Sequence, residues 1–395
     1  MGRGARPRRG AGGGAVGLQP LARDAGATTV GRLRGHRRSR VATGGGRRVS
    51  AIETRGDVDA VLEDFFAARI ARAADVGSAH EALWRRAAES SRGGKRLRPL
   101  LVRSAHDAYG GSEPADAVLI AAAFEVMHTA LLLHDDVLDG DLVRRGRPNL
   151  AGRFAEDALG AGVAPRASTA WGTGSALLAG DLLLSATHAL VARVRADTRG
   201  RIHEIVDDCL DLTAAGEHAD IGLALGTLAA APEEILRMMA RKTAAYSFSA
   251  PLRAGAVLAG AGDDALAALD EIGTDMGILF QLRDDMLGVF GTVARTGKTA
   301  TGDLREGKRT LLVAHAEGHP AWEAVAHLFG RRGLDDNDAA RLREALVASG
   351  AAADMERFIA DRHERIRARI ADAALPAALA RDLTRLARHS VERDA

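Results

Sequence analysis

Two stretches of the chain set paired carboxylates at the ends of apolar runs. The first reads Leu131-Leu-Leu-His-Asp-Asp-Val-Leu-Asp139, and the second Gly277-Ile-Leu-Phe-Gln-Leu-Arg-Asp-Asp-Met-Leu-Gly288. On a helix, Asp135 and Asp139 stand one turn apart on one face, with Asp136 about 100° round. Uncompensated carboxylates at the end of a buried stripe repel each other and lose hydration, which costs several kcal/mol. A divalent cation removes that conflict. Hard carboxylate oxygens, with no thiol or paired imidazoles nearby, select Mg²⁺, which keeps waters and shares its remaining positions with substrate phosphates. Asp284 and Asp285 repeat the pattern. A single acidic pair is more often a solvated helix face. Two pairs, each following an apolar run, could face one another across a bundle cavity and hold a diphosphate through bridging metals.

Basic and polar groups accompany these acids. Gly93-Gly-Lys-Arg-Leu-Arg-Pro99 offers a glycine turn through which backbone can approach an anion, with Lys95 and Arg98 supplying charge and Pro99 opening a helix. Read alone, such a turn is often a surface loop. His128 lies two turns before Asp135 on the same helix; a lone histidine there reads first as a core residue. Arg144 and Arg145 follow the first acids closely enough to form an ion-pair network or an anion site. Thr296-Gly-Lys298 and Gly302-Asp-Leu-Arg-Glu-Gly-Lys-Arg-Thr310 make a charged loop whose glycine hinges suit a lid.

The elements that must position these groups read as helices. From about residue 55 a stripe of Val58, Leu62, Phe65, Phe66 and Ile70 recurs at spacings of three and four. Further helical stretches are predicted at 98–109, 114–140, 174–195, 200–226, 232–259, 264–290, 306–317, 336–349, 351–372 and 376–392. Breaks such as Tyr109-Gly-Gly-Ser112 and Gly160-Ala-Gly-Val-Ala-Pro165 separate them. Nothing reads as a strand and no solenoid repeat appears. The pattern predicts one all-α domain over residues 55–395, its site in a bundle core where facing helices converge.

Composition narrows the class. The chain has 395 residues, 47% hydrophobic and 27% charged, which is ordinary globular content. The net charge of +2 conceals an asymmetry: residues 1–50 hold 12 arginines and one acid, Asp24, while the other 345 residues carry 42 basic and 51 acidic side chains. The folded part is acidic, so nucleic acid is not an expected partner. Residues 1–54 form a Gly/Arg-rich tail expected to be disordered. A solvated tail, or a start codon set too far upstream, is the plain reading; a transit peptide and an RNA-binding arm are the functional ones. The single Cys209 forms no intrachain disulfide, no zinc-ligand cluster is present, and a reducing, cytoplasmic location fits. No uncharged run reaches membrane-spanning length, since Asp116 and Glu125 interrupt the best candidate.

Taken together, six motifs in order over roughly residues 55–390 resemble the trans-isoprenyl diphosphate synthase (polyprenyl synthetase) family, whose two acidic motifs read DDxxD. The resemblance implies an isoprenoid synthase-type antiparallel helical bundle around a deep central cavity, usually in a homodimer. It implies a Mg²⁺-dependent prenyl transfer between isopentenyl diphosphate and an allylic diphosphate, with three Mg²⁺ ions on Asp135, Asp136, Asp139, Asp284 and Asp285. Lys95, Arg98, His128 and Arg145 are implied at the isopentenyl diphosphate. Arg144, Lys242, Lys298 and Lys308 are implied at the departing diphosphate, Thr243 near the reacting cation, and Gln281 beside the allylic chain. Three positions depart from the family pattern: Gly288 replaces the third aspartate of the second motif, Glu217 replaces glutamine in Gly216-Glu-His-Ala-Asp220, and Thr299 follows Lys298 where proline is usual. The rival readings are a class I terpene cyclase, which needs no isopentenyl site, and a silent subunit of a heteromeric synthase, which would typically have lost an acidic motif. In the family, bulky aromatics four or five residues before the first motif stop growth at fifteen carbons. Here those positions are Leu131 and Ala130, with Met127 and Phe124 deeper, which leads to an expected twenty-carbon product, with farnesyl or longer polyprenyl diphosphates as alternatives.

Overall fold

The structure is a computed structural model that describes residues 51–291, 302–331 and 333–392. Lys298 and residues 1–50 therefore lie outside the described residues. The first helix, α1 (Ala51–Val76), begins a few residues before the expected start of the domain, and α2 (Ser78–Ser90), α3 (Leu97–Ala108) and α4 (Pro114–Asp139) follow. A hairpin of β1 (Val143–Arg144) and β2 (Arg147–Pro148) leads to α5 (Leu150–Gly160), α6 (Pro165–Val191) and α7 (Ala196–Ala224). Next come α8 (Pro232–Met239), a π-helix (Ala240–Ser249), α9 (Ala250–Leu258) and α10 (Asp263–Phe290). Short helices α11 (Gly302–Glu306), α12 (Leu311–Ala316) and α13 (Pro320–Glu323) precede the closing α14 (Asp336–Ala348), α15 (Ala351–Asp372) and α16 (Ala377–Val391).

The all-α expectation holds, with three corrections. The segments 78–90 and 150–160 are helices that periodicity did not single out. The predicted helix 232–259 is interrupted by ten residues of π-helix. The third correction is the hairpin. Its two-residue loop is Arg145-Gly146, both with positive φ (54° and 72°), as the primed turns that suit tight hairpins require. In addition, Pro165 does not end a break but opens α6, where its missing N–H is harmless.

The core centres on α4, where Ile120, Phe124, Met127 and Ala130 are fully or almost fully buried. Alanines at 117, 121, 122 and 123 are equally buried and keep that helix slim, which allows α3, α6 and α9 to pack around it. Two glycines fix the place of the π-helix. A Cβ at Gly216 of α7 would stand 2.2 Å from the Lys242 backbone nitrogen, and one at Gly277 of α10 would stand 2.3 Å from the Ala244 Cβ. Only glycine lets α7 and α10 approach the π-helix from either side. On the far side of α10, Arg283 forks onto Glu356 (2.8 and 3.1 Å) and the buried Arg362 pairs with the buried Asp275, which ties α15 in place.

By length and composition alone, α4 and α6 are each long and apolar enough to cross a membrane. The most apolar window of α4 is 72% buried within the fold and that of α6 is 50% buried. The first figure marks a core helix. The second leaves one face of α6 open, with Trp171 and Leu178 more than half exposed.

Candidate active site

The two acidic motifs lie at the C-terminal ends of α4 and α10 and meet across the π-helix. Lys242 reaches back from its first turn into a nest of carboxylates: Asp220 at 2.6 Å, Glu217 at 3.0 Å and Asp135 at 3.4 Å. Arg144, held out by the hairpin, donates to Asp136 at 2.7 Å and Asp135 at 2.9 Å. On the other side, Thr243 Oγ1 donates to Gln281 Oε1 (3.1 Å), whose amide nitrogen donates to Asp285 Oδ1 (2.8 Å). A pocket opens between these groups, lined among others by Asp220, Lys242, Thr243, Gln281, Asp285 and Lys308. Sequence reasoning thus located Asp135, Asp136, Lys242, Thr243, Gln281, Asp285 and Lys308 in what is one place. Asp139 stands at the mouth, and Asp284 adjoins Asp285.

The charges do not balance. Burial pushes the Asp135 carboxyl up, but Lys242 and Arg144 outweigh it and leave it below the usual carboxylate range. The Asp136 carboxyl is raised by burial despite Arg144. Asp139 is pushed up to about 7 by burial and by Asp135, and Asp285 to about 7 by burial, with Asp303 and Asp284 adding to the strain. Lys242 and Lys308 are driven the other way: burial alone would lower them, yet the surrounding carboxylates hold both firmly protonated. Carboxylates outnumber cations, and this surplus fits divalent cations with an oxygen preference. Among the described residues no three acidic or imidazole side chains form a closed metal cage by themselves.

Beside this acidic centre lies a second, cationic one. Arg98, at the start of α3, stacks its guanidinium 4.6 Å from the Tyr246 ring centre and donates to Ser247 Oγ at 2.6 Å. Tyr246 in turn stacks on His128 of α4, its hydroxyl 3.4 Å from Nδ1. Burial, then the charges of Arg98, Arg144 and Arg145, hold the His128 imidazole well below its ordinary range, so it is neutral. The turn before α3 has the predicted glycine geometry, with Gly93 and Gly94 both at positive φ (82° and 80°). Among the described residues, the two non-glycines with positive φ are Arg96 and Arg145, one in each basic motif; strain of this kind gathers at binding sites. Lys95 and Arg145 are exposed at the rim.

Several site residues escaped sequence reasoning. Glu125 and Arg96 form a buried pair at 2.7 Å that anchors the basic turn to α4. Tyr246 and Ser247 sit one turn beyond the Lys242-Thr243 pair, and that spacing on a shared helix could have flagged them. Glu217 and Asp220 were noted as a departure and a match, but not placed beside Lys242. His134 holds the end of α4 to α6 through Leu177 O (3.2 Å) and Asp181 (3.4 Å). Of the residues read as a product floor, Ala130, Met127 and Phe124 lie in the buried stripe of α4, and Leu131 is half-buried.

Comparison with known proteins agrees with this geometry. Residues 82–346 match the family described as Polyprenyl synthetase. The chain is 36% identical over 291 residues to geranylfarnesyl diphosphate synthase of Aeropyrum pernix, covering 70% of this chain and 84% of that protein. It is 35% identical over 295 residues to geranylgeranyl diphosphate synthase of Mycobacterium tuberculosis, covering 72% and 76%. Among solved structures, geranylgeranyl pyrophosphate synthase from Corynebacterium glutamicum, complexed with isoprenyl diphosphate and magnesium, superposes with a TM-score of 0.82. That match has 29% identity and covers 88% of this chain and 100% of that one. With the family model spanning more than half of the chain and these relatives covered over most of their length, the chain belongs to the polyprenyl synthetase (trans-isoprenyl diphosphate synthase) family and is a prenyltransferase.

Proposed function

We propose that the protein condenses isopentenyl diphosphate with an allylic diphosphate to make geranylgeranyl diphosphate, in a Mg²⁺-dependent reaction, as a cytoplasmic homodimer. The observation that carries this reading is the pairing of two unlike anion sites across the π-helix. One is rich in carboxylates and takes a diphosphate with its metals. The other, Arg98-Tyr246-His128 with Arg145 and Lys95 at its rim, has fixed cations and takes a diphosphate without them. Two diphosphates bound differently side by side are what a head-to-tail prenyl condensation requires.

When bound, Mg²⁺, as three ions in our reading, neutralises charge on the allylic diphosphate and eases its departure. Lys242, Arg144 and Lys308 add fixed positive charge on the same oxygens, already oriented by their carboxylate partners. Thr243 and Gln281, joined by a hydrogen bond, line the way from the acidic centre toward the allylic carbon. His128, being neutral, offers a hydrogen bond to the isopentenyl diphosphate while placing no positive charge beside a developing carbocation. The apolar wall of α4 excludes water that would quench such a cation to an alcohol. Ala130 leaves room below the site and Met127 with Phe124 closes it, which favours a twenty-carbon chain. The open apolar face of α6, with Trp171, Leu177 and Leu178, supports a second copy as its cover. The buried thiol of Cys209, pushed up to about 12 by burial, is inert and compatible with a reducing compartment.

The test is direct. The purified chain is incubated with isopentenyl diphosphate and, in turn, dimethylallyl, geranyl and farnesyl diphosphate, with Mg²⁺ or with excess chelator. A twenty-carbon diphosphate from each primer, abolished by chelator, is the expected result. No product from any primer would overturn the reaction, and a fifteen-carbon or longer-than-twenty product would overturn the length.

A further inference from the structure

Lysine and arginine together fill 54 positions of the chain, and four of these are lysine: Lys95, Lys242, Lys298 and Lys308. Each stands in one of the motifs described above. The plain account of this bias is a general preference for arginine, with lysine kept where a compact ammonium is required. Whatever its origin, it confines side-chain amine chemistry to the site, and the amines there differ in their surroundings. The Lys242 ammonium faces Asp220, Glu217 and Asp135 at 2.6, 3.0 and 3.4 Å, so its nitrogen is committed as a cation. Lys308 is half-buried and lines the acidic pocket with Asp220 and Asp285. Lys95 is unlike both. It is exposed, and among the described residues no hydrogen bond or ion pair engages its side chain. Its backbone, in contrast, is anchored: Gly93 and Gly94 at positive φ precede it, and the buried Arg96 that follows pairs with Glu125 at 2.7 Å and Asp59 at 2.6 Å. A free amine on a fixed turn thus stands three residues before Arg98.

A pocket that holds a diphosphate through fixed cations also attracts other phosphate anions. An acyl phosphate is such an anion, and its electrophilic carbonyl lies one oxygen away from phosphorus. We propose that Lys95 is a modification site, acylated by acyl phosphates of the acetyl phosphate class that dock on the Arg98 side, and that its acylation switches off binding of isopentenyl diphosphate. The unprotonated Nζ attacks the carbonyl carbon. A C–N amide bond forms, the C–O bond to the phosphate breaks, and inorganic phosphate leaves with the electron pair. The ammonium gives up two protons in all, one to water and one to the departing phosphate, and no oxidant or reductant is involved. The product has no charge and one donor where the ammonium had three.

The inference deepens the reading of this pocket as the isopentenyl diphosphate site and rests on it. The full chain is incubated with acetyl phosphate, and acetylation of each lysine is followed by peptide mass spectrometry after cleavage at glutamate. Binding of isopentenyl diphosphate without Mg²⁺ is measured by calorimetry before and after. Lys95 is expected to acetylate at least about tenfold faster than Lys242 or Lys308, the ratio that a single pKa unit of difference in amine availability produces. Inorganic pyrophosphate without Mg²⁺ slows the reaction at Lys95 with acetyl phosphate and leaves that with uncharged phenyl acetate faster by comparison. Acetylation weakens isopentenyl diphosphate binding by at least about tenfold, as loss of a charge-assisted hydrogen bond does. Lys95→Arg, treated in the same way, binds as its own untreated sample does, which ties the loss to Lys95 and not to Lys298. Equal rates at the three lysines, or pyrophosphate without effect, would overturn the proposal, as would an equal loss of binding in treated Lys95→Arg. If the untreated wild type does not bind isopentenyl diphosphate, the reading of the pocket fails first, before any acylation.

Discussion

On the proposed reading, single residues would set both the reach of the product and the pH at which the metals load. Ala130 is buried about one turn before the acids on α4, and on that reading phenylalanine there would narrow the path of the growing chain. Ala130→Phe is expected to shorten the main product by at least one five-carbon unit, with ionisation of the primer largely preserved; chromatography of the dephosphorylated products checks it. An unchanged length would place the floor on another helix. A second prediction follows from Asp139 and Asp285, whose carboxyls are pushed up to about 7. Their raised values mean that the metal-free fold holds protons the unfolded chain releases above about pH 4. The stability these two groups contribute is thus lost as pH rises from there through 7. Metal binding must displace the same protons, so Mg²⁺ with pyrophosphate should raise the melting temperature more at pH 8 than at pH 6. The half-saturating Mg²⁺ should be about tenfold higher per carboxylate at pH 6 than at pH 8. A pH-independent Mg²⁺ requirement would contradict this. Most of these residues were legible because acidic and basic motifs of distinctive type recur in a fixed order. Glu125 and Ser247, and the placing of Asp220 beside Lys242, were not, because they come from convergence of α3, α4, α7 and the π-helix, and no local spacing encodes that.

The π-helix is the element on which the site depends most. Its ten residues present Lys242 to the carboxylates of α4 and α7, Thr243 to α10, Tyr246 to α4 and Ser247 to α3. Periodicity read the segment 232–259 as one α-helix, because an inserted wide turn shifts the apolar phase only slightly over so short a span. Such turns occur mostly where function requires them. Deleting Ala245, which lies between the two functional pairs, would let the segment close into α-helix and rotate one pair by about 100° relative to the other. Turnover should fall by at least about a hundredfold while helical content is retained, measured by steady-state kinetics and circular dichroism on the same sample. Activity within tenfold of wild type would show that the wide turns are incidental. Both helices missed in the sequence, α2 and α5, are short; α2 packs mainly on α1 and α5 on α6. The hairpin was hidden because two-residue strands carry almost none; its Arg-Gly loop was the one available sign.

At the scale of the whole molecule, every described site residue lies beyond Gly93, and the basic excess of the chain lies before residue 50. Removing residues 1–50 should therefore leave kcat and KM for both substrates within about twofold, as steady-state assays of the truncated chain would show; a collapse would give the tail a part in catalysis. What remains is an acidic body in which two helices end on acids. The acidic motifs stand in the last turns of α4, with its 26 residues, and of α10, with its 28. Each helix end carries roughly half a negative charge from its unpaired carbonyls, in addition to the aspartates it bears. The potential that the protein projects from this mouth is thus negative, and it repels a bare diphosphate while attracting cations and anions already dressed in them. On the proposed reading, that field would admit the magnesium complex of the allylic substrate, and the isopentenyl diphosphate would come in along the arginine side.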